Sequence, residues 1–262
     1  MADPSAYLRS LFDLSGRTAV IIGGTGTLGG AIGTTLASAG AHVVICGRGE
    51  AAGNEVAESI RSQGGSAEVM LVDATSREEL ESLRDQVREA GHGCDVLVNA
   101  AGVNSATPYL EIADDEWQKI LDVNLKSVHL ASQTFGPMMI AAGGGSIINI
   151  ASMSAITPLS RVFTYSVSKA AVLNLTRNLA REWAPHNVRV NALSPGFFPA
   201  EQNREVLDDE RVASILRHTP MARFGEADEL AGAVLLLAAP VAGRFMTGEN
   251  LVVDGGFSAM TI

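Results

Sequence analysis

Short runs of apolar, mostly β-branched residues alternate along the chain with longer stretches whose apolar positions recur every three or four residues. The short runs predict seven strands, at Thr18–Ile22, His42–Cys46, Ala67–Val72, Asp95–Asn99, Ser146–Ile150, Val188–Leu193 and Asn250–Val253. The longer stretches predict helices at Leu28–Ala39, Ala51–Gln63, Arg77–Ala90, Asp115–Ala142 and Tyr165–Ala184. This alternation predicts an α/β fold, in which helices cover both faces of a doubly wound, seven-stranded parallel sheet.

The domain organisation follows from the same pattern. Neither a repeat nor a change of composition marks a second unit, so residues 1–262 are predicted to form a single domain. The segment Phe197–Arg223 interrupts the alternation late in the chain with polar and charged residues. We expect this segment, about 197–223, to form a lid over a substrate site.

Composition narrows the class of partner. A formal net charge of -10 and a pI near 5.0 argue against nucleic acids and anionic membranes, which both favour a basic face. The longest apolar run contains Gly232 and Pro240 and is too short to span a membrane, and the first residues do not resemble a secretory signal. Cys46 and Cys94 are isolated and have no metal-ligand spacing, which favours a reducing cytoplasm. A small-molecule substrate is therefore expected.

The other candidate ligands are interpreted as surface groups. His42, His92 and His186 stand at the edges of predicted elements, and the sequence indicates no histidine–carboxylate constellation. No metal is therefore expected.

Candidate chemistry is concentrated in one predicted helix. Tyr165 and Lys169 are four positions apart, so on a helix they share one face, and Ser152 precedes them by thirteen positions. An unperturbed tyrosine is too weak an acid to exchange protons efficiently near neutral pH, and a nearby ammonium group would lower its pKa. The three groups could meet around one carbonyl in a hydride-transfer reaction. Taken alone, the Tyr–Lys spacing is more typical of an amphipathic surface helix than of an active site.

A glycine-rich turn lies between the first predicted strand and the first predicted helix. Backbone N–H groups and the positive end of a helix dipole in such a turn favour a dinucleotide pyrophosphate. The turn could also simply connect the two elements. The candidate cofactor-binding residues here are Gly23, Thr25, Gly26, Thr27, Leu28 and Gly29.

The end of the second predicted strand bears on which dinucleotide binds. A carboxylate at that place would bind the ribose hydroxyls of NAD, whereas a basic residue suits the 2′-phosphate of NADP. Arg48 occupies the position and no carboxylate does, so NADP(H) is expected over NAD(H). Alternatively, Arg48 is solvated or paired with Glu50.

In the order of its predicted elements and motifs, the chain from Thr18 to Phe257 resembles the short-chain dehydrogenase/reductase family, whose fold is of the Rossmann type. The resemblance rests on the glycine turn, an Asn-Ala-Ala-Gly segment after the fourth strand, and matches to the family's catalytic tetrad. The matched catalytic residues are Asn124, Ser152, Tyr165 and Lys169. The resemblance adds as cofactor-binding residues Asp73, Ala74, Asn99, Ala100, Ala101, Gly102, Tyr165, Lys169, Pro195, Gly196 and Phe198.

The resemblance implies a mechanism. Tyr165 would donate a proton to a carbonyl that receives hydride, Ser152 would hold the carbonyl oxygen, and Lys169 would hold the nicotinamide ribose and lower the Tyr165 pKa. Asn124 would anchor a water that leads protons to solvent. From their positions alone, Asn124 could instead be a hydrogen-bonding residue between elements and Ser152 an ordinary turn serine.

Two positions depart from the family's pattern. Thr27 replaces the middle glycine of Gly-x-x-x-Gly-x-Gly, which predicts a slightly altered backbone path in the turn. Ala200 stands where many members have a threonine that helps to hold the nicotinamide end, so weaker ordering of the cofactor is expected.

The lid resembles that of family members which reduce keto sugar acids. The candidate substrate residues are Asn104, Ser152, Ser154, Tyr165, Gln202, Asn203 and Arg204. Arginine suits a bidentate contact with a carboxylate, although residues 202–204 could equally begin a solvated helix. A 3-oxoacyl-(acyl-carrier-protein) reductase, a hydroxysteroid or other alcohol dehydrogenase, and a non-catalytic NADP-binding regulator remain as alternatives. The resemblance also implies a homotetramer, or a dimer, packed through the helices at Asp115–Ala142 and Tyr165–Ala184.

Overall fold

A computed structural model describes residues 4–199 and 208–260, which form one α/β unit around a single sheet. The strands are β1 (Thr18–Ile22), β2 (His42–Gly47), β3 (Ser66–Leu71), β4 (Val96–Asn99), β5 (Gly145–Ile150), β6 (Val188–Pro195) and β7 (Asn250–Val253). The helices are α1 (Pro4–Phe12), α2 (Thr27–Ser38), α3 (Glu50–Ser62), α4 (Arg77–Glu89), α5 (Asp114–Leu121), α6 (Ser127–Ala141), α7 (Phe163–Trp183), α8 (Asp209–His218) and α9 (Ala231–Ala238).

All seven strands run parallel, in the order β3-β2-β1-β4-β5-β6-β7, which confirms the predicted doubly wound sheet. The chain builds outward from β1 to β3 on one side and from β4 to β7 on the other. The direction therefore reverses between β1 and β4, and a crevice opens there beyond the carboxyl ends of the strands. Ligands of open α/β sheets bind at such a crevice.

The packing of the core explains why the sequences of the strands are nearly continuous apolar runs. β1 is buried along its whole length, because its two faces pack into two different apolar layers, one on each side of the sheet. One layer contains Ile21 and Val43 with Leu36 of α2 and Leu237 of α9. The other contains, besides residues of β1 and β2, Leu83 of α4 and Phe135 and Met139 of α6.

Among the predicted elements, the long helix at Asp115–Ala142 needs the largest correction. It is divided into α5 and α6 by a π-helical turn at Asp122–Lys126. Buried Asn124 lies within this turn and bonds to the loop after β4, as described below. Periodicity cannot reveal one extra residue in a helical turn, because the apolar positions on either side still alternate with the helical period.

Helices α1, α8 and α9 are additional to the predicted elements. The sequence of α9, Ala-Gly-Ala-Val-Leu-Leu-Leu-Ala, is apolar on all sides and so lacks an amphipathic period. Helix α8 lies in the predicted lid, of which the structure describes 197–199 and 208–223. No helix of the described chain combines the length and apolar character needed to cross a membrane.

Candidate active site

Helix α7 carries two of the predicted catalytic side chains on one face. The Nζ atom of Lys169 lies 5.6 Å from the centre of the Tyr165 ring. Lys169 is buried, and its Nζ donates a hydrogen bond to the carbonyl of Ile150, the last residue of β5, at 2.7 Å. The bond fixes the ammonium group beside the phenol and leaves Nζ further protons to donate.

Ser152 enters the site from the other side, just after β5. Its side-chain oxygen accepts hydrogen bonds from the backbone N–H of Ser154 at 3.1 Å and from the Ser154 hydroxyl at 3.0 Å. It also shares a hydrogen bond with the side chain of Tyr165. Ser152 and Ser154 are both buried, so these contacts hold the Ser152 oxygen at a fixed place next to the phenol.

Asn124 is fully buried behind this group. Its Nδ2 donates to the Val103 carbonyl at 2.9 Å and to the Ser168 hydroxyl at 3.0 Å, while its Oδ1 accepts from the Val103 N–H at 2.8 Å. Ser168 in turn donates to the Tyr165 carbonyl at 2.6 Å. The π-helical turn is thereby tied both to the loop after β4 and to the first turns of α7.

Gly102 lies where Asn124 and Lys169 meet. A methyl group at this glycine would be 3.5 Å from Lys169 Nζ and 3.6 Å from Asn124 Oδ1. All four predicted catalytic residues are therefore gathered around the carboxyl ends of β4 and β5. Sequence reasoning missed the supporting role of Ser168, although its position three residues after Tyr165 was the available signal.

The ionisation of the pair differs from the expectation. Burial raises the pKa of Tyr165, and the hydrogen bond with Ser152 opposes that shift only in part. Burial also lowers the pKa of Lys169 to about 8. The expected lowering of the Tyr165 pKa by Lys169 is therefore wrong for this structure, because desolvation disfavours the charged form of each partner.

A cleft of about 600 Å³ lies at the crevice between β1 and β4. Its lining includes many of the predicted cofactor residues, namely Gly23, Thr25, Gly26, Arg48, Asp73, Ala74, Ala100, Ala101 and Gly102. The opposite wall is polar and comes from Asp115, Gln118, Lys119 and Asp122. Sequence reasoning missed this wall, since nothing in the α5 pattern marks one solvent face as the side of a cleft.

The glycine turn closes the inner end of this cleft. Gly23 has a positive φ of 86°, and a methyl group there would overlap the backbone of Ala100 and Ala101. A methyl group at Gly29 would overlap the Gly23 carbonyl oxygen. These two glycines therefore let β1, the loop after β4 and the start of α2 approach closely.

Helix α2 begins at this turn with its positive end unneutralised. Gly26 caps the helix without any side-chain hydrogen bond, and the first turn contains no acidic residue. Thr27, the departure from the family pattern, and Leu28 are the first helical residues. The free N–H groups of the first turn thus fit a pyrophosphate.

Charge is distributed unevenly where Arg48 and Asp73 line the cleft. Hydrogen bonds from the N–H and hydroxyl of Thr75 lower the pKa of Asp73, and the positive charges of Arg48 and Lys126 lower it further. Asp73 is therefore ionised at neutral pH and has one carboxylate oxygen, Oδ2, free of these contacts. Lys126 was not predicted from the sequence.

Other predicted cofactor residues do not line the cleft. Asn99 is buried, and its Nδ2 donates to Asn149 Oδ1 at 2.8 Å while its Oδ1 lacks a partner. Pro195 ends β6, and Gly196 packs against Asp254. Phe198 lines a separate cavity of about 180 Å³ with Arg223 and Phe224.

The predicted substrate residues divide into three groups. Ser152, Ser154 and Tyr165 converge, as described above. Asn104 is exposed on the loop after β4, where its Oδ1 accepts from the Ser105 N–H at 2.8 Å. Gln202, Asn203 and Arg204 lie outside the described residues, as does Ala200.

Comparison with known proteins adds relatives that match almost the whole chain. A family model described as "Enoyl-(Acyl carrier protein) reductase" matches residues 24–258. Galactitol 2-dehydrogenase of Rhizobium johnstonii is 39% identical over 257 residues, which cover 94% of this chain and 97% of the relative.

Two solved structures share the fold throughout. Gluconate 5-dehydrogenase from Burkholderia cenocepacia, in complex with NADP and tartrate, has a TM-score of 0.92 and 33% identity, and the match covers 97% of this chain and all of the other. A 7α-hydroxysteroid dehydrogenase complexed with NADH and 7-oxo glycochenodeoxycholic acid has a TM-score of 0.89 and 34% identity, with 94% of this chain and 96% of the other covered.

Proposed function

The chain belongs to the short-chain dehydrogenase/reductase family and is an NAD(P)-dependent oxidoreductase, and from this premise we propose that it interconverts a ketone and a secondary alcohol on a sugar acid or polyol. The observation that carries the proposal is the convergence of Ser152, Tyr165 and Lys169 beside Gly102, which lines the cleft. Polyol and sugar-acid dehydrogenases among its relatives support the substrate class.

The proposed mechanism uses the fixed positions of these side chains. Bound NAD(P)H supplies the hydride. Ser152 donates its hydroxyl proton in a hydrogen bond to the carbonyl oxygen, since its own oxygen already accepts two bonds from Ser154. Tyr165 transfers its phenolic proton to that oxygen as negative charge develops there, and in alcohol oxidation it accepts the proton back.

Lys169 and Asn124 support this transfer. Lys169, held by the Ile150 carbonyl, directs its remaining protons toward a cofactor ribose and away from the apolar core. Asn124 joins the π-helical turn to the loop after β4 and to helix α7 through its hydrogen bonds. We propose that it also anchors the path by which protons reach solvent. The role of Lys169 depends on its burial, which excludes competing water.

We assign the cofactor's contacts to the residues that line the cleft. The first turn of α2 and the glycines before it would hold the pyrophosphate, and Asp73 with the free oxygen of its carboxylate would face the adenine. Arg48 follows β2 at a place without a carboxylate, so NADP(H) is the proposed preference. Pro195, Gly196 and Phe198 would bound the nicotinamide end.

The lid gives the proposed selectivity. Helix α8 is joined to the loop between Ser152 and Tyr165, because Arg211 donates to the Ser160 hydroxyl at 2.8 Å. The proposed carboxylate and hydroxyl contacts are those of Gln202, Asn203 and Arg204, together with that of Asn104. The net charge of -10 disfavours an acidic carrier protein as partner.

We further propose a cytoplasmic homotetramer or dimer that packs through α5, α6 and α7. Phe163, Val167 and Ala170 form an exposed apolar strip on α7, at the spacing of one helix face. Both cysteines are free thiols, as expected in a reducing compartment. Light scattering of the purified protein tests the assembly, and a monomer would contradict it.

The decisive experiment is an activity screen of NADPH and NADH against keto sugar acids, polyols, acetoacetyl thioesters and steroid ketones. Tyr165→Phe is expected to retain NADPH binding and to lose turnover by about 100-fold or more. Tyr7→Phe is the matched control, because Tyr7 is exposed on α1. Undiminished turnover by Tyr165→Phe would contradict the assigned chemistry. Cofactor binding without any turnover by the wild type would favour a regulator.

A further inference from the structure

Three side chains from separate elements converge at the amino end of the sheet, opposite the cofactor cleft. His42 is the first residue of β2, Glu68 lies in β3, and His92 lies in the loop between α4 and β4. The sequence indicated no histidine–carboxylate constellation, and the structure forms one by pairing β2 with β3. The site and its test are independent of the function proposed above.

One carboxylate oxygen faces both imidazoles. Glu68 Oε1 lies 3.0 Å from His42 Nε2 and 3.7 Å from His92 Nε2, and one ligand atom from each of the three residues falls within 4.8 Å of the others. Ligands bound to a tetrahedral zinc ion at about 2.0–2.2 Å are separated by roughly 3.3–3.6 Å. The three side chains therefore already stand near the separations that a single ion requires.

An outer contact orients one of the rings. His42 Nδ1 lies 2.7 Å from the Ser66 hydroxyl, which can accept its proton. In one tautomer Nε2–H donates to Glu68 Oε1 at 3.0 Å, whereas in the Nδ1-protonated tautomer the lone pair of Nε2 faces Glu68 Oε1 and is available to a cation. Metal-bound histidines characteristically donate their other N–H to an oxygen acceptor in this way.

The arrangement of the rings leaves room for ligation. The two imidazoles are stacked, with centres 4.1 Å apart and planes 14° from parallel. A shared ion requires the His92 ring to turn until its Nε2 lone pair points at the ion, while His42 keeps its contact with Ser66. His42 and His92 are 21% and 30% exposed, so solvent borders both rings and permits that turn.

We propose that His42, Glu68 and His92 bind a divalent transition-metal ion of the zinc class, with water completing the coordination. Two imidazoles and one carboxylate are ligands that zinc accepts, whereas magnesium and calcium select sites made wholly of oxygen. The ion would join β2, β3 and the loop before β4. It would stabilise the fold at the edge of the sheet remote from the chemistry.

Titration of zinc chloride into the EDTA-treated full-length protein, followed by calorimetry near neutral pH, tests the proposal. We expect saturable binding of one ion per chain and a higher melting temperature with zinc than without it. Glu68→Gln and His92→Gln should each weaken binding at least about 10-fold, and Ser66→Ala by about 10-fold through the lost orientation of His42.

His186→Ala is the matched control, because His186 is exposed and lies outside the cluster. Its zinc affinity should equal that of the wild type, and the circular dichroism spectrum should remain unchanged in every metal-free variant as evidence of folding. Absence of saturable binding by the wild type overturns the site, and so does unchanged affinity in both Glu68→Gln and His92→Gln.

Discussion

Tyr165 and Lys169 illustrate how the same spacing has different consequences on a surface and inside a protein. The sequence correctly indicated that they share a helix face, since that follows from the helical period alone. It did not indicate how far the two side chains are buried, and burial is what shifts their pKa values. Burial keeps the phenol protonated and lowers the pKa of the lysine to about 8.

This ionisation predicts different pH dependences for the two directions of reaction. Reduction uses the protonated phenol, so its rate should stay level from about pH 6 to about pH 10, because the raised pKa of Tyr165 keeps the proton on the phenol over this range. Oxidation needs the phenolate, so its rate should rise with pH because the Tyr165 pKa is raised. Rate profiles from about pH 6 to about pH 10 in both directions check this. Oxidation that is fastest near neutral pH and slower in alkali would contradict it.

The glycine turn gives a second prediction for single residues. Gly29→Ala should destabilise the protein by about 1–3 kcal/mol, because the methyl group overlaps the Gly23 carbonyl. Gly26→Ala should change stability by less than about 0.5 kcal/mol, since Gly26 has an ordinary φ of -89° and its nearest neighbour would be 3.4 Å away. Urea unfolding of the two variants compares them directly. Equal losses would show that the close approach at Gly29 is not what constrains the turn.

At the scale of elements, helix α7 is fixed by a chain of buried polar contacts. Asn99 donates to Asn149, Asn149 donates to Thr176 of α7 at 2.9 Å, and Thr176 donates to the Val172 carbonyl at 2.8 Å. The chain joins β4, β5 and α7, so it sets where Tyr165 lies above the sheet. The strands and helices that form this framework were predictable from period and composition. The π-helical turn and the polar chain were not, because both arise from contacts between residues far apart in sequence.

Breaking this chain should weaken the whole fold. Thr176→Val preserves shape but leaves the buried Asn149 amide without its acceptor, so we expect a loss of about 1–3 kcal/mol in the free energy of unfolding. Thr34→Val serves as the control, since the Thr34 hydroxyl donates only within its own helix and should cost less than about 0.5 kcal/mol. Chemical denaturation measures both, and a Thr176→Val loss no larger than the control's would rule out the anchoring role.

At the scale of the whole molecule, the parallel sheet gathers residues from distant parts of the chain at one edge. The glycine turn, Arg48 and Asp73 line the same cleft as the loop after β4, as their positions after successive strands predicted. The polar wall from α5 lay beyond prediction, because the orientation of a helix against a cleft depends on packing. The same holds for the histidine–carboxylate cluster, which depends on the register of β2 with β3.

Cofactor preference should be visible in global stability. A ligand at about 100 times its Kd stabilises the folded state by about 2.7 kcal/mol, so the tighter cofactor raises the melting temperature further at equal concentration. We expect NADPH to raise it more than NADH, and Arg48→Ala to remove most of that difference. Arg17→Ala is the control, because Arg17 pairs with Asp95 away from the cleft. A larger shift with NADH in the wild type would contradict the NADP(H) preference.

The order of the strands also implies an order of events during synthesis. Among the described residues, those that line the cofactor cleft all lie within 22–123, whereas the backbone N–H of Gly196 obtains its partner, the Val253 carbonyl, only when β7 has been made. Chains emerge from the ribosome at about 5–20 residues per second and fold from the amino end as they appear. We expect the cleft to take shape seconds before the turn at Gly196, the proposed nicotinamide end, is secured. A ribosome stalled after β5 should therefore present a chain that already protects β1 and β2 from proteolysis while its catalytic half is still open.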